Sequence, residues 1–402
     1  MAILRLDPHE LYDSPNHLAP NYTYFHVADR LLLTGHSHQA WPDCGFAAQQ
    51  QAWLDAAGHV DDKWELAFAQ AERVRQGYAR LLDDDADRIA LGQNTLELVG
   101  RWLSALPLRD RPRLVTTDGE FHTIRRLLDR LAEEGIEIVK VPVLPVAATA
   151  DRLAAAVDSR TAAVLVSSVL FQSGQIVPGL DRIMAACETN GAELLVDAYH
   201  SCNVVPFSLP TLGLENAYVT GAGYKYCQLG EGNGFLRFPP DCRLRPVLTG
   251  WFSEFSALAT GPDDSRVVYG VGPDRFAGAT FDPTSQYRAA AVFDFFTENG
   301  LEVDFLRQVS QHQIGLLVQE FDTLDLDPTL INRDREVPLT RIGGFLVLYS
   351  QRAVEICGRL KEHGVATDAR GSSLRLGPAP YLSDRQLGEA TQILGEVIRG
   401  LA

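Results

Sequence analysis

Asp197 closes an apolar run, Glu193-Leu194-Leu195-Val196, and is followed by Ala198-Tyr199-His200. Further along, Lys225 sits inside Thr220-Gly221-Ala222-Gly223-Tyr224-Lys225-Tyr226. The apolar run reads as a buried strand of a parallel sheet, and the lysine comes after a second short strand, Ala217-Tyr218-Val219. A carboxylate and a lysine on neighbouring strand ends are what pyridoxal 5'-phosphate (PLP) chemistry requires. The lysine forms an imine with the cofactor aldehyde, and the acid keeps the pyridine nitrogen protonated so that the ring withdraws electrons. The same pair also reads as a surface lysine and a strand-end aspartate of an ordinary α/β protein, so the neighbouring residues have to decide.

Several neighbours point to a planar, phosphate-bearing ligand. Gln93-Asn94-Thr95 falls at a strand-to-helix turn, where free N–H groups and the helix dipole favour a phosphate; a plain Asn/Thr helix cap is the competing reading. Glu120-Phe121-His122-Thr123 follows a strand end and offers an aromatic ring for stacking, or a core phenylalanine opening a helix. His200 lies three residues beyond Asp197 and reads either as a contact to the cofactor's edge or as a buried structural histidine. Tyr224 puts a phenol beside Lys225, and Gly221 and Gly223 permit close approach. His36-Ser37-His38 has no third ligand nearby, so no metal is expected.

Elements that could position these residues alternate through the middle of the chain, as in a doubly wound sheet. Strands are expected at Arg88–Leu91, Arg113–Thr117, Glu137–Pro142, Ala162–Val166, Leu194–Val196, Ala217–Val219 and Gly234–Phe238. Helices are expected from Asn94, over Thr123–Gly135 and Asp151–Val157, and over Leu180–Asn190 with Gly191 as its C-cap. A long helix over Tyr287–Asn299 precedes a change of texture. Helices at Glu302–Phe321 and Val354–His363, strands at Gly344–Tyr349 and Ser373–Leu376, and a terminal helix opened by Ser383 suit a smaller α+β unit. The expected division is an N-terminal segment (1–45), a large cofactor-binding domain (46–295) and a small C-terminal domain (296–402). Gly261-Pro262 and Gly270–Pro273 read as loops.

Composition narrows the function classes. A net charge of -16 argues against nucleic-acid binding, which needs basic surface, and the Arg109–Arg113 and Arg125-Arg126 clusters read as solvated faces. No stretch is apolar enough to span a bilayer and the first residues lack a secretory pattern, so the expectation is a cytoplasmic protein with no membrane partner. The six cysteines are scattered without zinc-type spacing and read as reduced.

Leu195-Val196-Asp197-Ala198-Tyr199-His200-Ser201, Gly223-Tyr224-Lys225-Tyr226 and Gly250-Trp251-Phe252 resemble kynureninase, a fold-type-I PLP enzyme of the class V aminotransferase group. The resemblance runs from Gly35-His36-Ser37-His38 to Arg375-Leu376-Gly377-Pro378-Ala379-Pro380. It implies an α/β fold with a large, mostly parallel seven-stranded sheet and a smaller α+β domain. It implies PLP held by Asn94, Thr95 and Tyr224 at the phosphate, Phe121 on the ring, Ser167 facing it, Asp197 on the pyridinium, His200 at its edge and Lys225 in the imine. Trp251 and Thr280 would reach the phosphate of the partner subunit in a homodimer with a shared active site. Arg375, with His36, would bind the substrate, the guanidinium taking the α-carboxylate. The implied reaction is hydrolytic Cβ–Cγ cleavage of L-kynurenine or 3-hydroxykynurenine to an anthranilate and L-alanine, with Lys225, Tyr224 and Asp197 as the catalytic residues. Related class V activities are the alternatives: transamination, oxidative decarboxylation, or desulfuration. The last needs a loop cysteine, and none lies between Cys242 and Cys357.

Three positions depart from the kynureninase pattern. Ile124 stands where an aspartate is usual, the stretch after the lysine reads Cys227–Gly234, and Thr280 or Phe281-Asp282-Pro283 replaces an asparagine. The cofactor residues are kept while the end of the site that meets the aromatic ketone differs.

Overall fold

The structure, a computed structural model, describes residues 6–260 and 266–401. Its main sheet has strands β1 (Ile89–Gly92), β2 (Arg113–Thr117), β3 (Glu137–Val141), β4 (Thr161–Ser167), β5 (Glu193–Asp197), β6 (Tyr218–Ala222) and β7 (Gly234–Arg237). They lie in the order β1-β7-β6-β5-β4-β2-β3. All neighbours are parallel except those of β7, which runs against both β1 and β6. Two reversals leave β1 pointing the same way as β2 to β6. The carboxyl ends Gly92, Thr117, Ser167, Asp197 and Ala222 therefore emerge along one edge, where open α/β sheets place their ligands.

Burial on both faces explains the apolar runs. Every residue of β4 is buried. Val164 and Val166 join one apolar layer, with Val196 and Val219, while Ala163 and Leu165 join the other, with Leu195 and Leu236. At about 25 cal/mol per Å² of apolar surface, each such side chain contributes roughly 1.5–3 kcal/mol, so the strand ends rest on a rigid base.

Helices α1 (Asp43–His59), α2 (Lys63–Leu82), α3 (Thr95–Ser104), α4 (His122–Glu133), α5 (Thr149–Ala156), α6 (Leu180–Asn190), the single-turn α7 (Leu209–Leu212) and α8 (Thr284–Glu298) accompany the main sheet. α6 ends at Gly191, whose φ of 64° is the left-handed conformation that a glycine cap supplies. α8 is buried over most of its surface because α1 and α2 both pack on it. The sequence pattern does not mark α1 or α2. α1 buries only Gly45 and Ala52, and the buried stripe of α2 begins with the small residues Ala67 and Ala71, so neither shows a strong apolar period.

A second, antiparallel sheet is built from β8 (Asn332–Arg333), β9 (Leu346–Tyr349), β10 (Asp368–Arg370) and β11 (Ser373–Leu376) in the order β10-β11-β9-β8. α9 (Val303–Thr323), α10 (Ala353–Glu362) and α11 (Asp384–Arg399) belong with it, and Ser383 caps α11 through a capping box with Gln386. Leu31–Leu32 pairs in parallel with Val365–Ala366, and the Gly35 N–H donates to the Gly377 carbonyl at 2.7 Å. These bonds carry His36 into the same neighbourhood.

The short strands β8 and β10 have no counterpart in the sequence reading. Gly270–Pro273 is not wholly loop, since Gly272–Phe276 forms a 3-10 helix with Pro273 in its first turn. Gly261-Pro262 lies outside the described residues. No described helix is long and apolar enough to cross a membrane, and all six cysteines are free thiols.

Candidate active site

A cavity of about 340 Å³ opens at the carboxyl edge of the main sheet. Its wall takes contributions from the ends of five strands. Asn94, Thr95 and Leu96 follow β1; Phe121, Thr123 and Ile124 follow β2; Ser167, Val169 and Phe171 end or follow β4; Asp197, Tyr199 and His200 end or follow β5; Tyr224 and Lys225 follow β6.

Lys225 is 6% exposed, and its Nζ lies 2.8 Å from Nε2 of His200. Three aromatic rings surround that amine: Tyr199 at 5.4 Å, Phe121 at 5.5 Å and Tyr224 at 5.9 Å from Nζ to the centroid. Burial lowers the lysine's pKa, against the nearby charge of Asp197, which favours the ammonium form. Burial likewise raises the Asp197 carboxyl, opposed by the Tyr199 backbone N–H, which donates to Oδ1 at 2.9 Å, and by Lys225. Burial holds His200 neutral, so its Nε2 accepts from Lys225 while the lysine is an ammonium ion. Nδ1 of His200 is buried without a partner.

The two glycines before the lysine serve packing rather than approach to the cavity. A Cβ on Gly223 would come within 2.4 Å of Leu229, and one on Gly221 within 2.8 Å of Phe235. Only glycine lets the loop from β6 to Lys225 lie this close to β7 and the turn before it.

At the end of β1, Asn94 caps α3 by accepting the Glu97 N–H at 3.1 Å, and the Thr95 hydroxyl donates to the Tyr199 hydroxyl at 2.6 Å. Both residues line the cavity, yet the Asn94 oxygen and the Thr95 hydroxyl already have partners within the chain. Ser167 is similar, donating to Glu120 at 2.6 Å. Phe121 holds its ring edge-on to Phe171, centroids 5.3 Å apart. Burial pushes the Tyr224 phenol up to about 12.

The remaining predicted site residues lie outside this cavity. Arg375 is 4% exposed; one Nη donates to the Phe171 carbonyl at 2.8 Å and the other pairs with Asp368, its cross-strand partner in β10. His36 is fully buried, 3.7 Å from Asp368 and with its ring centroid 4.8 Å from that of Phe345. Burial depresses His36 to about 4. Burial alone would raise Asp368, but His36, Arg375 and Arg370 together hold it well below the usual carboxylate range. Trp251 and Thr280 stand together on the surface, with the indole N–H donating to the Thr280 hydroxyl at 3.3 Å.

Four contributors escaped the sequence reading. Tyr199 and Glu120 lie inside the Asp197–His200 and Glu120–Thr123 motifs. Phe171 and Asp368 carried no signal beyond a strand-end aromatic and a strand aspartate.

No family model matches the chain. Its relatives include the kynureninase of Bacillus cereus, 27% identical over 62% of this chain, and the uncharacterized aminotransferase YcbU of Bacillus subtilis, 21% identical over 85% of this chain and 87% of that protein. The kynureninase match spans 58% of that enzyme's length. Among solved structures, C-DES with glycine covalently linked to its PLP cofactor superposes with a TM-score of 0.83 at 17% identity, over 94% of this chain and 98% of that one. The fold is fold type I of the PLP-dependent enzymes. Apo cysteine desulfurase from Thermococcus onnurineus shares this fold at a TM-score of 0.79 and 15% identity, over 96% of this chain and 98% of that one. The sequence relatives carry kynureninase and aminotransferase names, and the solved structures share the fold.

Proposed function

We propose that the chain is a PLP-dependent enzyme acting on an amino acid, and within that class a kynureninase-like hydrolase. Its reaction would be cleavage of L-kynurenine or 3-hydroxykynurenine to an anthranilate and L-alanine. One observation carries the reading: a buried lysine, boxed by three aromatic rings, held by a neutral histidine and set one strand end from a buried aspartate.

The donor set fits PLP. Lys225 supplies the amine, Asp197 an acceptor for a ring N–H, Phe121 an aromatic face, and the start of α3 unpaired backbone N–H groups of the kind that receive phosphate. When bound, PLP supplies an electron sink for negative charge at a substrate carbon. Lys225, depressed by burial, reaches the amine form at lower pH than an exposed lysine and can take the proton from the substrate Cα. Asp197 keeps the ring-nitrogen proton in place. Tyr224 stays a phenol throughout the neutral range and is the candidate donor to the departing carbon. Ile124, Val169 and Phe171 line the cavity with apolar surface suited to an aromatic side chain.

Arg375 is the reading's carboxylate ligand and requires rearrangement at Asp368 or use of its unpartnered Nε–H. Trp251 and Thr280, exposed and outside their own cavity, suit a homodimer in which each copy completes the other's site.

The test is one cuvette. Purified protein should show the visible band of the PLP–Lys225 imine, and added L-kynurenine should release fluorescent anthranilate. A band without anthranilate keeps the PLP reading and rejects the substrate, sending the search to C–S lyase and aminotransferase assays. Absence of a band after adding PLP rejects the reading altogether.

A further inference from the structure

Glu120 has no role in the scheme above, yet it is 2% exposed and sits against the cavity wall. Its two carboxylate oxygens each receive a hydroxyl. Thr117, the last residue of β2, donates to one at 2.6 Å, and Ser167, the last residue of β4, donates to the other at 2.6 Å. The Thr117 oxygen also accepts the Gly119 N–H at 3.2 Å, so the turn leading to Phe121 is closed on itself. Ser167 lies in register with Asp197 on the adjacent strand, and both line the cavity. Burial pushes the Glu120 carboxyl up to about 7, the two hydroxyls opposing and the Asp197 charge adding to the rise.

A serine hydroxyl has one proton. When that proton is given to Glu120, the Ser167 oxygen has only lone pairs to offer in other directions. We infer that Glu120 is a positioning residue of this cavity: in its ionised form it fixes Ser167 as a hydrogen-bond acceptor beside Asp197 and locks the turn that presents Phe121. The cavity floor is then an acceptor pair, matched to an N–H group such as a protonated ring nitrogen and mismatched to an oxygen of the ligand. The assignment of that N–H to PLP rests on the function proposed above; the contact between Glu120 and Ser167 does not.

Glutamine separates charge and polarity from shape. Its single oxygen accepts one hydroxyl, and its NH2 must donate to the other, reversing the polarity of one of the two contacts. Wild type, Glu120→Gln, Ser167→Ala and the double variant form a cycle with two readouts. In urea unfolding of the purified proteins the two substitutions should be strongly non-additive. In pH titration of the visible imine band, Glu120→Gln should move the midpoint by about one unit, a tenfold change in the equilibrium, while in the Ser167→Ala background it should move it by almost nothing. Additive unfolding effects overturn the inference, and so does a titration shift that persists without Ser167. Non-additive unfolding with an unmoved titration reduces Glu120 to a structural clamp and also overturns it. If wild type binds no PLP, the function proposed above falls, and the unfolding cycle alone still decides whether Glu120 positions Ser167. Thr117→Val is the milder substitution should Glu120→Gln fail to fold: it removes the other hydroxyl that holds Glu120, so its unfolding effect should likewise be non-additive with Ser167→Ala, and additive effects overturn the inference.

Discussion

The edge of the main sheet and the hairpin of the small sheet solve opposite problems with the same residue types. At the main edge, Lys225 and Asp197 face a cavity, each pushed toward its neutral form by burial, and neither is locked in a direct ion pair. In the hairpin of β10 and β11, Arg375 and Asp368 are cross-strand neighbours that neutralise each other, with Arg370 also 3.1 Å from the aspartate. Parallel strand ends splay their side chains into a common crevice, whereas an antiparallel pair sets opposing side chains about 5 Å apart. The first arrangement leaves reactive groups available; the second satisfies them internally. The groups left free therefore sit on the parallel edge, and Arg375, the carboxylate ligand of the proposed function, starts from a closed contact.

The largest test of this contrast is Lys225→Ala, which should remove the visible band and all turnover while leaving the far-ultraviolet circular dichroism unchanged. Retained colour would take the imine away from this lysine. Asp368→Asn should be destabilising by about 3 kcal/mol in urea unfolding, because it leaves a buried guanidinium without its charge partner. A loss well below about 1 kcal/mol would mean that the hairpin pair is no more satisfied than the cavity pair.

Proton linkage gives a smaller effect with a definite sign. Glu120 has a folded pKa of about 7, above its ordinary 4.5. The folded protein therefore holds that proton where the unfolded chain has lost it, and this contribution, complete below about 4.5, fades as pH rises through about 7. Stability of wild type should fall relative to Glu120→Gln across that window, by on the order of 1–3 kcal/mol, as followed by urea midpoints at fixed ionic strength. A flat difference would show that the cavity floor carries no such proton. Smallest of all, Asn94→Ala should cost about 1 kcal/mol through loss of the α3 cap. It should weaken PLP binding only modestly if the backbone N–H groups, rather than the Asn94 side chain, hold the phosphate.

Much of this was legible from residue order. Strand positions in the main sheet match the apolar runs because a parallel sheet is buried on both faces and tolerates little else. Leu180–Asn190 and Ser373–Leu376 match to the residue, the former because Gly191 marks its end. That Asp197 and Lys225 lie at neighbouring strand ends was readable for a related reason, since one closes and the other follows a short apolar run. α1 and α2 were not readable, because helices that pack through alanine and glycine lack an apolar stripe.

Tertiary structure alone decided the partners. That Arg375 lies against Asp368 rather than in the cavity follows from the register of a short hairpin, which no local pattern encodes. That Ser167 faces Glu120 follows from β2 and β4 being neighbours, though β3 intervenes in the chain. The sequence by itself determined which residues can react and which strands carry them. Only the folded sheet, by choosing which strand ends are adjacent, determined which charges and hydroxyl protons remain free to meet a ligand.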